Sequence, residues 1–122
     1  MTLATILIIV GRFLLGGYFL QAGIRNFMKF QLHQSILEKK GVPVPREGLV
    51  VALAVQVLGG AMVAFGVFPA IGAVGLILFT IVANYLYHNF TQFQGDERKS
   101  HLASVLVNLG IIGGLLLVAA GI

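Results

Sequence analysis

Four apolar runs, residues 3–24, 49–68, 70–87 and 102–122, fill most of this chain and leave few folds open to it. Each is close to the ~20 residues, at ~1.5 Å rise per residue, that a helix needs to cross a bilayer core. Within lipid, backbone polar groups must be satisfied inside each segment, so the runs read as helices rather than strands. Nothing alternates in the manner of a lipid-facing strand. Only 10% of the 122 residues are charged, against 58% hydrophobic. A soluble domain carries about 25% charged residues, and a chain this short cannot hide so much apolar matter in one aqueous core. The expectation is an all-α polytopic membrane protein. Residues 1–122 form one domain, a four-transmembrane-helix bundle with the lipid bilayer as its solvent.

Charge sets the expected orientation. Arg25, Lys29, Lys39, Lys40 and Arg46 lie between the first and second runs, and Arg98 and Lys99 between the third and fourth. The opposite face has the two termini and the minimal turn Gly66, Val67, Phe68, Pro69. By the positive-inside rule both basic loops are cytoplasmic and both termini are outside. The net charge of +4 is then a topology and headgroup signal, and no nucleic-acid partner is expected. The amino terminus lacks the basic n-region of a cleavable signal, because residues 1–5 carry no charged side chain.

The first loop has a pattern of its own. Phe27, Phe30, Gln34 and Leu37 share one helical face, which predicts a short interfacial helix. Gly41 stands where a helix-terminating residue is expected. Val42, Pro43, Val44 and Pro45 then read as an extended connector. Sixteen glycines, most of them inside the runs, predict close helix contacts, among them Gly16, Gly17, Gly59, Gly60 and the Gly110/Gly114 pair.

Polar residues inside the runs are few and ordered. Arg12 stands in the first run and Gln56 in the second. Thr80, Asn84 and His88 recur every fourth residue in the third; His101, Ser104 and Asn108 follow in the fourth. Such stripes face inward in membrane bundles. Counting along the runs puts Arg12 and Gln56 near mid-membrane. Arg12, Gln56, Thr80, Asn84 and Asn108 are therefore the candidate ligand-binding cluster, with His88 and His101 at its cytoplasmic mouth. A guanidinium keeps its charge in any environment, and no acidic residue shares its depth. Two readings compete: Arg12 is a strut bonded to Gln56, Asn84, Asn108 and backbone carbonyls, or it is a charge that polarises or binds an electron-rich ligand; a counter-charge from a lipid or a partner protein is the remaining alternative. No metal is expected, since no carboxylate or further nitrogen ligand accompanies the histidines. Bis-histidine haem ligation is disfavoured because both histidines lie at span ends. With no cysteine, the chain alone offers neither disulfide exchange nor a thiolate nucleophile.

Several of these motifs, taken in order, resemble the DoxX family. Gly11-Arg12-Phe13-Leu14-Leu15-Gly16, then Gly23-Ile24 and the basic-aromatic Phe27-Met28-Lys29-Phe30, resemble its first span, and Gly41-Val42-Pro43 its first loop. Gly59-Gly60 with Phe65-Gly66 resembles the second span, and Tyr87-His88-Asn89-Phe90 the end of the third. The run Asn108-Leu109-Gly110-Ile111-Ile112-Gly113-Gly114-Leu115-Leu116 resembles the fourth. The resemblance implies a small four-span protein of the bacterial inner membrane. The family takes its name from a likeness to a subunit of a thiosulfate:quinone oxidoreductase, and some members are linked to oxidative and thiol stress. Many members carry Glu in the second span before the Gly-Gly pair, where this chain has Gln56. A site built on an amide and an arginine is net positive, which suits a neutral carbonyl acceptor or a small anion.

Three functions follow as expectations. The first is an accessory or quinone-interacting component of a membrane redox or thiol-stress system, with a quinone as candidate cofactor and a redox enzyme as candidate partner. The chain has no evident redox centre of its own, so whether it is itself an enzyme stays open. The second is a carrier of an anion or small solute; the absence of Asp and Glu within the runs argues against a cation exporter. The third is a non-catalytic scaffold that assembles through its glycine faces, with a second copy or with another membrane protein.

Overall fold

A computed structural model describes all residues, 1–122. Helix α1 spans Leu3–Met28, α2 Phe30–Lys39, α3 Pro45–Phe65, α4 Pro69–Tyr87 and α5 Gly95–Ala119, with a 3-10 turn at Phe90–Gln92 before α5. Helices α1, α3, α4 and α5 are long and apolar enough to cross a membrane. They lie side by side in the order α1, α3, α4, α5, and α5 touches α1 again at its far end. The helices outrun the apolar segments. α1 continues past residue 24 to Met28, and α5 starts seven residues before Leu102. Backbone hydrogen bonding does not stop where lipid stops, and Asp96 and Glu97 in the first turn of α5 complement its dipole.

Local chemistry sets the ends. The Thr2 hydroxyl accepts from the Thr5 N–H at 3.1 Å and caps α1. Proline opens both α3 and α4, where its missing N–H costs nothing. The short helix expected in the first loop is present as α2. Gly41 ends it at φ +76°, the Gly41 N–H reaching Glu38 O and the Val42 N–H reaching Leu37 O, both at 3.1 Å. That is the paired closure in which a left-handed glycine costs least. The connector differs from expectation. Val44 adopts φ 43°, ψ 59° instead of an extended form, so the chain turns sharply into Pro45, which disfavours right-handed geometry in the residue before it.

Two glycine contacts build the frame. Gly16 of α1 lies against the backbone of Gly60 and Ala64 of α3, and Gly59 of α3 lies against Gly72 of α4. Close to these crossings sits the packed core of Phe19, Val63, Ala73, Leu76, Leu115 and Val118. Leu37, Leu49 and Leu53 form a second cluster at the end carrying the basic loops. The expected Gly110/Gly114 contact differs. Nothing lies within 4 Å of a side chain added at Gly110, and at Gly114 only Leu15 comes close, at 3.5 Å. α5 packs through Leu115 and Val118 instead. Gly11 and Gly17 are likewise open.

Candidate functional site

Between the core and the basic end the bundle opens into a cavity of about 560 Å³, within the range of small-molecule sites. Phe19 and Ala22 of α1, Leu53 of α3, and Phe79 and Leu86 of α4 give it apolar walls, and His33 and Leu37 of α2 close its basic end. Val51, Leu78 and Val82 also line it, yet are exposed on the outside of the bundle. The cavity is thus open toward the hydrocarbon.

The polar groups in it come from all five helices. Gln56 is buried, 4% exposed, and its Oε1 accepts from Asn26 Nδ2 of α1 at 3.2 Å. Gln56 lines the cavity, and its Nε2 donates to no group within the protein. The buried Thr80 hydroxyl donates to Leu76 O at 2.7 Å and keeps its lone pairs as acceptors. Asn108 Nδ2 donates to Asn84 Oδ1 at 2.6 Å, tying α5 to α4; Asn108 lines the cavity, while Asn84 lies behind it. At the rim, His88 Nδ1 and His101 Nδ1 lie 3.1 Å apart, within hydrogen-bond distance. The His101 ring stacks on Phe93 at 4.1 Å, and His88 alone of the pair lines the cavity. No group of three His, Asp or Glu stands close enough to hold a metal ion.

Arg12 is placed elsewhere. A side chain added at Gly23 comes 3.2 Å from Gln56 Cγ, so Gln56 is level with Gly23. Arg12 is then eleven residues, or ~16 Å, farther along α1. It sits one turn beyond Gly16, level with the last turn of α3, toward the end that holds the termini. The two side chains do not share a depth, because α1 runs deeper into the basic end than its apolar stretch indicates. Arg12 is half-buried and outside the cavity lining. Its Nε is buried with no hydrogen-bond partner, so it is no strut to the amides.

Asn26, His33 and Tyr87 join the site, although the polar stripes did not single them out. His33 Nδ1 and the Tyr87 hydroxyl are 3.0 Å apart, which latches α2 to the end of α4. Asn26 could have been found from its spacing, three residues after Gly23 on the face that meets α3. Burial, and then the nearby Lys29 charge, hold His33 below the usual imidazole range. The unfolded chain therefore takes up this proton more readily than the folded one. The latch is at full strength above about pH 6.5 and weakens as pH falls through the lowered folded value. The melting midpoint of the wild type is expected to drop between pH 7 and 5 by more than that of His33→Gln; parallel curves would remove His33 from the latch.

A family model described as DoxX matches residues 7–89, from the second turn of α1 to the end of α4. No curated protein and no solved structure matches the chain.

Proposed function

Because the chain belongs to the DoxX family of membrane proteins, we propose that it serves a membrane redox or thiol-stress system as an accessory component that binds a quinone in the cavity around Gln56. The orientation proposed with this places the basic loops in the cytoplasm of a bacterial cell and the termini outside its inner membrane. One observation carries the reading: a buried amide, Gln56, lines a largely apolar cavity that opens toward lipid, and its Nε2 donors are unused within the protein. A quinone head offers carbonyl acceptors and no donors, and its apolar tail partitions into the hydrocarbon. Asn108 supplies a second amide, and Thr80 adds only acceptor capacity. With no carboxylate among the residues lining the cavity, the site favours a neutral acceptor over a cation. The bound group would supply electron-accepting chemistry; the chain's part is to hold and orient its head and to keep water out. Electrons would come from a partner enzyme, with this chain as the binding module.

Tyr18 and Tyr87 line the cavity in a chain without tryptophan, so tyrosine fluorescence reports occupancy. A short-chain benzoquinone is expected to quench it saturably in detergent. Gln56→Leu should weaken binding about three- to tenfold, the worth of one hydrogen bond. Ala52→Phe, which fills the cavity from α3, should abolish it. Unsaturable quenching in the wild type, or unchanged binding in both variants, refutes the proposal.

A further inference from the structure

A second hollow, of about 440 Å³, runs along the seam of α1 and α3 on the far side of Leu53 from the cavity. Its lining is wholly hydrophobic and includes Ile24, Phe27 and Phe30 on one side and Val50, Ala54 and Leu58 on the other. We propose that this groove is a binding site for one anionic glycerophospholipid of the leaflet facing the basic loops, its acyl chain along the groove and its phosphate at Arg46 and Lys29.

Position, length and charge argue for that occupant. The groove faces outward from a bundle that lives in lipid, so its neighbour is hydrocarbon. Arg46 precedes Val50 by one helical turn and stands on the α1 side of the same face; Lys29 lies between Phe27 and Phe30 at the junction of α1 and α2. From Arg46 to Leu58 is twelve residues, ~18 Å along α3, close to half of a ~30 Å hydrocarbon core. The groove thus starts at the headgroup level and ends near the bilayer centre, the span of one acyl chain. At its mouth stand Lys29 and Arg46, with the acid Glu47 on the lipid-facing flank of α3. All three are exposed, and their net positive charge favours an anionic phosphate head over a zwitterionic one. Lys40 is directed away, its ammonium 6.0 Å from the Tyr87 ring. The site is independent of what the cavity binds.

The test is native mass spectrometry of the full chain, exchanged into detergent with equal dioleoyl phosphatidylglycerol and phosphatidylcholine. One phosphatidylglycerol per chain is expected to persist. Lys29→Gln with Arg46→Gln should lower its retention about thirtyfold, given the attraction that each juxtamembrane cation contributes. Lys39→Gln with Lys40→Gln should leave it within about twofold. Ala54→Phe keeps every charge and blocks the groove at an exposed position; it should release the lipid while the melting midpoint holds. Equal loss in the two charge pairs would mean diffuse attraction and overturn the proposal. So would retention in Ala54→Phe, or equal occupancy by the two lipids.

Discussion

Valine at Gly60 or at Gly16 is expected to cost the bundle about 3 kcal/mol or more. The cost comes from backbone, which cannot swing aside. A side chain added at Gly60 lies 2.7 Å from Leu20 N and 2.9 Å from Gly16 O, and one added at Gly16 runs into Ala64 N and Gly60 O. Overpacking of this kind takes ~1–3 kcal/mol even where flexible side chains give way. Here α1 must lift from α3, and the packing that holds helices together in lipid is lost along the whole seam. The same substitution at Gly17 or Gly110 meets nothing within 4 Å and should stay within about 0.5 kcal/mol. Thermal unfolding of the four variants in one detergent separates the cases. If all four melt alike, the α1–α3 crossing is not where the structure puts it.

That contrast marks how far the sequence can be read. Long apolar runs with few charges fix the number and type of spans, because lipid leaves the backbone almost no alternative. Gly41 and the faces of Phe30 and Leu37 likewise suffice for α2, since both signals are local. Which glycines make contact is different information. Gly16 and Gly17 are neighbours in sequence, and only the direction of the neighbouring helix decides that one is crossed and the other faces open space. Depth fails for a related reason. Counting from the end of an apolar run puts Arg12 beside Gln56, but α1 runs four residues beyond that end, to Met28, and meets α3 at Gly16 and Gly23. A register between two helices is a tertiary fact. The amides were easier to read, because a polar side chain in lipid must find another one. Thus Asn84 meets Asn108, while Gln56 meets Asn26, a partner the apolar pattern hid by ending the span two residues too soon.

Replacing Arg12 with leucine is expected to raise the melting midpoint, by the equivalent of ~1–3 kcal/mol. The Arg12 Nε is buried and bonded to nothing, and a buried donor without an acceptor forfeits its desolvation cost, ~1–3 kcal/mol. Leucine fills the same part of the α1 face with no polar atom to satisfy. Arg12→Lys separates charge from shape: it keeps the cation and removes the Nε, and its flexible ammonium can extend along the helix toward the headgroups. It should lie between the wild type and Arg12→Leu. The opposite result is equally informative. If Arg12→Leu melts lower in lipid-containing detergent and higher once lipid is stripped, a phosphate supplies the missing acceptor. If it melts lower in both, an acceptor within the protein engages the guanidinium, and the last turn of α3, level with Arg12, is the place to look. Because Arg12 stands ~16 Å along α1 from Gln56, benzoquinone quenching in Arg12→Leu should match the wild type whichever way the stability moves. Loss of quenching together with gain of stability would join Arg12 to the cavity and revive the charged site that its sequence position first suggested.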